Sequence, residues 1–163
     1  MSQPVPPPGN PFADGAAPQQ YPMAPPTAPA RDNVALGLVA GLVAALVAAG
    51  AYGGIAGGIE REIGWAAVGV GFLVGFAAGK VGGRNPALPV VSAVLSLGAV
   101  YLGQLVALSI IGAKALSVSA TELFFEHFDV LTSAWKEDLD PLTFLFFGLA
   151  AFAAFSGAKK ATR

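Results

Sequence analysis

The sequence predicts an all-α fold: an integral membrane four-helix bundle with one interfacial amphipathic helix and a disordered, proline-rich N-terminal tail. Two features of the composition support this class. Of the 163 residues, 55% are hydrophobic and only 12% are charged, which is about half the charged fraction of a soluble domain. The mean hydropathy is +0.65 although the N-terminus is polar, so the apolar residues are concentrated in the remaining chain, where they form long uncharged runs.

Residues 1–32 form the predicted tail. Residues 1–30 contain ten of the 13 prolines and no Lys or Arg. A segment of this composition buries too little apolar surface to offset the entropy lost on ordering, so we expect disorder with polyproline II character. Repeated PxxP spacings leave two alternatives: a solvated tail, or a docking segment for a cytoplasmic protein partner.

Four apolar segments follow and define a membrane domain at residues 33–158. They lie at about residues 34–58, 63–79, 88–113 and 141–157. A helix of about 20 residues crosses the roughly 30 Å of hydrocarbon in a bilayer. We therefore expect this domain to be surrounded by a lipid bilayer and to cross it four times.

Small residues spaced by four mark the faces on which these helices pack. Membrane helices associate through close backbone contact, which glycine permits because it has no side chain. The helix-packing residues are Gly37 and Gly41 in the first span and Gly71, Gly75 and Gly79 in the second. We predict that the second set is the contact face on which the rest of the chain packs.

A very short polar turn, residues 60–62, joins the first two spans. Two helices joined so briefly must be antiparallel neighbours. An antiparallel pairing sets Gly37 and Gly41 against the 71–79 end of the second span, and we therefore predict a tight first hairpin.

The third span carries two polar residues that are candidates for a contact inside the membrane. Tyr101 and Gln104 lie about one helical turn apart on one side of this span, near mid-depth. Polar groups in the hydrocarbon region need a partner because an unsatisfied group is costly there. Two alternatives are open: a hydrogen bond across to another helix, or a contact with a substrate.

An acidic segment separates the third and fourth spans. Residues 114–140 carry six acidic residues against two lysines. Ser119 and Glu122 have the spacing of a capping box, and apolar side chains then recur at helical spacing with acids opposite. This pattern is typical of an amphipathic helix that lies along a membrane surface, and it predicts a single helix at residues 119–136. The apolar face consists of Phe124, Phe128, Leu131 and Trp135.

Basic residues predict the orientation of the four spans. Both termini lie on one side, together with the turn between the second and third spans. Because basic residues are enriched in cytoplasmic segments, we predict that both termini are cytoplasmic. That side carries Arg31, Lys80, Arg84, Lys159, Lys160 and Arg163, and the opposite side carries Arg61, Lys114 and Lys136.

Few residues suit catalysis, cofactors or metals. The chain has no cysteine and one histidine, His127, and the one alternative is a weak metal site of His127 with Glu122, Glu126 and Asp129. The predicted spans contain no Asp, Glu, Lys, Arg or His, which argues against a proton-coupled transporter or pump. A net charge of −1 provides no basic field for nucleic acid. We therefore predict no catalytic residue, no cofactor, no metal site and no nucleic-acid partner.

Three stretches carry a resemblance to a known family. They are IGWAAVGVGFLVGFAAG at residues 63–79, Gly98 with Tyr101-Leu-Gly103-Gln104 in the third span, and DPLTFLFFGLA at residues 140–150. Through them, residues 34–158 resemble an uncharacterised family of small bacterial four-pass integral membrane proteins with a polar N-terminal extension. The resemblance implies four spans with a surface helix before the last, and it implies no activity. We expect the protein to lie in the inner (cytoplasmic) membrane of a bacterial cell.

These observations predict a non-enzymatic membrane protein that works through interactions, as an accessory or scaffold subunit. The alternative is a small oligomeric channel or transporter for a small or apolar solute, lined by glycine, serine and Gln104. A second copy of the chain is a further candidate partner because unused small residues can serve contacts between chains. A membrane enzyme is a third hypothesis, which no visible nucleophile–base pair supports.

Overall fold

The computed structural model describes residues 32–163, so the predicted tail, apart from its last residue, lies outside the described residues. The described part of the chain is helical and contains no strand. Its helices are α1 (Val34–Ile59), α2 (Gly64–Gly82), α3 (Ala87–Leu116), α4 (Ala120–Glu126), α5 (Phe128–Glu137) and α6 (Pro141–Ala161).

Four of these helices, α1, α2, α3 and α6, are long and apolar enough to cross a membrane. They confirm the predicted all-α fold with four apolar spans. Each begins within one residue of its predicted start, whereas α2, α3 and α6 end three or four residues later than predicted. The four helices contain 26, 19, 30 and 21 residues, which at 1.5 Å per residue correspond to about 39, 28, 45 and 32 Å.

Side-chain caps fix the starts of α1 and α6. The Asn33 side chain accepts a hydrogen bond from the Leu36 N–H at 3.1 Å, and the Asp140 carboxylate accepts one from the Thr143 N–H at 2.7 Å. Such caps satisfy N–H groups that have no partner within the helix. Pro141 occupies the first turn of α6, where its missing N–H costs nothing.

Both α1 and α3 end on a residue in the left-handed conformation. Glu60 has a φ of 56° and Ser117 has a φ of 57°, and each cap N–H bonds to the carbonyl four residues earlier. A left-handed residue at this position ends a helix and reverses the chain. The 60–63 loop and α4 therefore both turn back toward the bundle at the same end.

The second glycine ridge packs on α6, and this corrects the predicted pairing. α2 runs parallel to α6, and their contact is the most extensive in the bundle. A β-carbon added at any of the three ridge glycines would overlap the backbone of α6, so only glycine permits this approach. The facing pairs are Gly71 with Ala150, Gly75 with Ala154, and Gly79 with Ala158.

The first glycine ridge does contact α2, but at residues beside the second ridge. A β-carbon at Gly37 would lie 2.7 Å from the Gly82 Cα, and one at Gly41 would lie 3.1 Å from the Ala78 Cβ. Further along α1, the glycines Gly53 and Gly57 lie against α3. The first hairpin therefore forms, while α1 places Gly53 and Gly57 against α3.

The acidic segment forms two helices where the sequence predicted one. His127, with φ −122° and ψ 40°, interrupts the helix between α4 and α5. Each short helix buries one leucine, Leu123 or Leu131, to 4% exposure.

Candidate functional site

The two ends of the bundle carry opposite charge. The basic end holds the start of α1, the α2–α3 turn and the last turn of α6, and the acidic end holds the α1–α2 loop and residues 117–140. The described basic residues of the basic end are Lys80, Arg84, Lys159, Lys160 and Arg163, and the acidic residues of the acidic end are Glu60, Glu62, Glu122, Glu126, Asp129, Glu137, Asp138 and Asp140.

A buried amide joins three parts of the chain at the acidic end. Gln104 of α3 is 6% exposed. Its Nε2 donates a hydrogen bond to Glu62 Oε1 at 3.1 Å, and its Oε1 accepts one from Trp135 Nε1 at 2.7 Å. We call Glu62, Gln104 and Trp135 the polar cluster. It ties the α1–α2 loop and α5 to α3 through side chains 42 and 31 residues apart from Gln104.

Tyr101, the second polar residue predicted from the sequence to make a contact, packs against Trp135 of the polar cluster. The rings of Tyr101 and Trp135 meet edge to face with centroids 4.8 Å apart, and Phe147 of α6 lies on Trp135 with centroids 6.3 Å apart. Aromatic pairs in such geometry contribute about 0.5–1.5 kcal/mol beyond the area they bury. Tyr101 and Gln104 therefore act together to fix α5 on the bundle.

The depth of Gln104 in the bilayer stays a prediction, whereas its place in the bundle is defined. Gln104 is near the middle of α3, but it bonds to Glu62, which lies two residues before α2 begins. It therefore sits at the level where the shortest span starts. Because α3 is about 17 Å longer than α2, the middle of α3 lies beside the start of α2.

A cavity of about 210 Å³ opens beside the polar cluster. One wall is apolar and the other carries charged groups of the loop and of the turn before α6. The Lys114–Glu60 ion pair, 3.1 Å long, lies at its rim with both side chains at least half exposed, so it contributes little stability. The lining residues are Ala56, Ala107, Leu108 and Ile111 on the apolar wall, and Glu60, Arg61, Glu62, Gln104 and Asp138 on the polar wall.

Two carboxyl groups at this end have pKa values shifted in opposite directions. Burial raises the pKa of Glu62 above its ordinary value, and the negative charges of Asp138 and Asp140 raise it further, while the bond from Gln104 opposes the shift. Hydrogen bonds from the Thr143 hydroxyl and N–H lower the pKa of Asp140. The negative charge of Glu62 thus destabilises the folded protein, whereas the negative charge of Asp140 stabilises it.

We expect Glu62→Gln to change how stability depends on pH. The pKa of Glu62 in the folded protein lies above the unfolded value of 4.5, so the folded protein binds the carboxyl proton more tightly than the unfolded chain does. The stability of the fold therefore falls as pH rises from 4.5 through the folded-state pKa. The variant should therefore unfold at a higher temperature than the parent at pH 7, and the difference should vanish as pH falls below about 4.5. Thermal unfolding followed by circular dichroism from pH 4 to 8 measures this.

Asp140→Asn is the control of opposite sign. Its folded-state pKa is lowered from 3.8, so its stabilisation is present at neutral pH and is lost as pH falls through the lowered value. This variant should be less stable than the parent at pH 7. A Glu62→Gln difference that stayed constant from pH 4 to 8 would contradict the assignment of Glu62.

Three of the four residues named for a possible metal site lie close together on the surface of the protein. Donor atoms of Glu122, Glu126 and His127 lie within 4.8 Å of one another, whereas Asp129 is not part of this group. Residues four apart on a helix are neighbours, so α4 brings its two glutamates together without any ligand. The arrangement adds no independent indication of a metal site.

The serine hydroxyls of α3 are turned to its own backbone. Ser96 donates to the Ala93 carbonyl at 2.8 Å and Ser109 donates to the Val106 carbonyl at 2.7 Å. Such bonds to the preceding turn occupy the hydroxyl within the helix. Ser92 Oγ is the one buried side-chain polar atom in residues 32–163 without a hydrogen-bond partner. Two of these three hydroxyls are thus bonded within α3 itself.

The fold defines the class of this chain as a multi-pass membrane protein, because four of its helices have the length and composition to cross a bilayer. Comparisons with protein-family models, with curated proteins and with solved structures find no match for the chain. The resemblance to a family of small bacterial four-pass proteins therefore stays a prediction.

Proposed function

We propose that this chain is a non-enzymatic membrane protein that works through interactions, as an accessory or scaffold subunit. The observation that carries the proposal is the closed packing of the bundle. Along α2 and α6 the backbones are in direct contact at three successive levels, and Val74, Val100 and Leu105 are fully buried in the core. A core of this kind supports helices that hold one another rather than a passage between them.

The state of the polar side chains supports the same proposal over a channel or transporter. Solute pathways expose donors and acceptors that can exchange partners with the solute. Here the Gln104 amide is bonded on both its oxygen and its nitrogen. The hydroxyls of Ser96 and Ser109 are bonded to α3. Of the polar residues that α3 offers for a pore lining, Gln104, Ser96 and Ser109 therefore have structural partners, and Ser92 Oγ has none among the described residues.

The proposal places both termini in the cytoplasm of a bacterial cell and the acidic end outside. The chain has no cysteine, so single cysteines can be introduced without a background. We expect Ala161→Cys, at the last residue of α6, to be protected from an impermeant maleimide in intact cells, and Ser133→Cys, on α5, to be labelled. Labelling with the reverse pattern would overturn this orientation.

Crosslinking mass spectrometry in native membranes tests the interaction role directly. We expect the full chain to crosslink to a specific partner through the proline-rich tail. We expect a variant whose tail prolines are replaced by serine, at unchanged length, to lose those crosslinks. If the parent and the serine variant each crosslink only to further copies of the same chain, the scaffold proposal fails and a homo-oligomer replaces it.

Proteoliposome flux separates the scaffold from the channel. The purified chain is expected to raise the flux of small uncharged solutes no more than empty liposomes do. Flux above that level that is abolished by Gln104→Leu would favour the channel, because Gln104 is a polar residue of a membrane-crossing helix that lines the end cavity.

A further inference from the structure

A notch of about 200 Å³ lies at the basic end, between the α2–α3 turn and the last turn of α6. Only two of the side chains that line it are charged, Arg84 and Lys159, and both are positive. Its other lining residues are Gly83, Asn85, Pro86, Pro89, Ala158 and Thr162. A volume of this size equals that of about seven water molecules, so the notch has room for a group larger than a single small ion.

The positive charge at this end is not neutralised within the described residues. The ion pair found in residues 32–163 is Lys114–Glu60, at the opposite end. The described carboxylate at the basic end, that of Asp32, accepts a hydrogen bond from the Arg84 backbone N–H at 2.9 Å. The guanidinium of Arg84 and the ammonium of Lys159 therefore remain available to an anion.

Both cations are already held in place. Arg84 Nε donates a hydrogen bond to the Thr162 carbonyl at 3.0 Å, which fixes the guanidinium beside the end of α6. Lys159 Nζ lies 4.5 Å from the centroid of the Phe155 ring, an arrangement that attracts a cation to the ring face. Side chains that are ordered in advance lose less entropy when a ligand binds. A guanidinium also matches the paired oxygens of a phosphate.

One face of α6 continues from the notch toward the middle of the bundle. Phe152, Phe155 and Lys159 lie on this face at i, i+3 and i+7, and Phe152 is 68% exposed. A second, open cleft of about 570 Å³ shares Lys159 with the notch and is also lined by Ser156, Lys160 and Arg163. A phosphate in the notch would thus have an apolar track below it and further cations beside it.

We propose that the notch binds the phosphate group of an anionic phospholipid, with an acyl chain of the same lipid along Phe155 and Phe152. Basic pockets between membrane helices take such headgroups because charge and apolar surface meet there. The apolar track favours a lipid over a soluble phosphate, which would use the cations alone. The assignment is independent of which side of the membrane the basic end faces.

Native mass spectrometry of the full chain in detergent, titrated with phosphatidylglycerol or phosphatidylcholine, tests the assignment. We expect phosphatidylglycerol to be retained preferentially, and Arg84→Gln/Lys159→Gln to weaken its retention about 30-fold, which is about five-fold per basic group. The matched control, Arg61→Gln/Lys136→Gln, removes one arginine and one lysine from the acidic end and should leave retention unchanged. Lys159→Gln/Lys160→Gln, confined to exposed positions of α6, repeats the test without touching the α2–α3 turn.

Each remaining outcome overturns the proposal. Equal retention of the two lipids means that the notch does not select an anionic headgroup. An equal loss in the control pair means that net charge, and not this site, attracts the lipid. If inorganic phosphate displaces all bound phosphatidylglycerol and also binds to Phe152→Ala as well as to the parent, the site takes a soluble anion and the lipid assignment fails.

Discussion

Replacing Gly75 with alanine is expected to destabilise the bundle by at least about 3 kcal/mol. Overpacking a well-packed contact costs about 1–3 kcal/mol, and the contact between α2 and α6 is rigid, so we expect the upper end of this range or more. The added β-carbon would overlap the Ala154 carbonyl. A backbone group of α6 can move away only if the whole helix moves. The free energy of unfolding in mixed micelles, titrated with SDS and followed by circular dichroism, gives the value.

Gly69→Ala is the matched control for this prediction. Gly69 lies on the same helix, and a β-carbon there would meet no atom within 4 Å. This variant should be as stable as the parent, or more stable by up to about 1 kcal/mol because alanine favours helix over glycine. An equal loss in both variants would show that glycine content, and not the α2–α6 contact, sets the stability.

Replacing Gln104 with leucine is expected to cost about 1–3 kcal/mol, because it leaves the part-buried Trp135 N–H without its acceptor. The change removes the acceptor of the Trp135 N–H and the donor to Glu62. Because these bonds tie α5 and the loop to α3, amide exchange should accelerate in residues 128–137 and in the 60–63 loop while α2 and α6 stay protected.

A double-mutant cycle isolates the hydrogen bond itself. Trp135→Phe keeps an aromatic ring against Tyr101 but removes the N–H that Gln104 accepts. The two changes should therefore be non-additive by about 1–2 kcal/mol. Trp65→Phe controls for loss of a tryptophan, since Trp65 is 74% exposed. Strict additivity of the Gln104 and Trp135 changes would contradict the role of the polar cluster.

The spans are predictable from sequence because their causes are local. Length without charge marks each crossing, and Asp140 with Pro141 marks the start of α6 to the residue. Glycine spacing likewise identifies faces that need close contact. None of these signals depends on which helix lies next to which.

Helix partners are not local, and there the sequence is a weaker guide. The 71–79 ridge suits any helix with a smooth surface, and α1 and α6 both have one. In the structure the 71–79 ridge packs against α6, and the glycines Gly53 and Gly57 of α1 pack against α3. Connection length required α1 and α2 to be neighbours, but it did not require their glycines to face each other.

The candidate site is recognisable from sequence only in part. Tyr101 and Gln104 stand out because polar residues are rare in an apolar run. Their partner Trp135 looks like one more apolar residue of a surface helix, and Glu62 looks like a solvated turn residue. The contact needs the chain to reverse at Glu60 and again at Ser117, and such reversals on non-glycine residues leave little trace in a sequence.

The unequal helices determine the membrane thickness to which the protein is matched. At about 28 Å, α2 suits a thin bilayer of about 27 Å, whereas the last turns of α3 then stand in water with α4 and α5. A thicker bilayer would have to deform around α2 or draw the Glu62 carboxylate toward its interior. Because hydrophobic mismatch of this kind sorts proteins among membranes, we expect the chain to fit a thin bilayer better than a thick one.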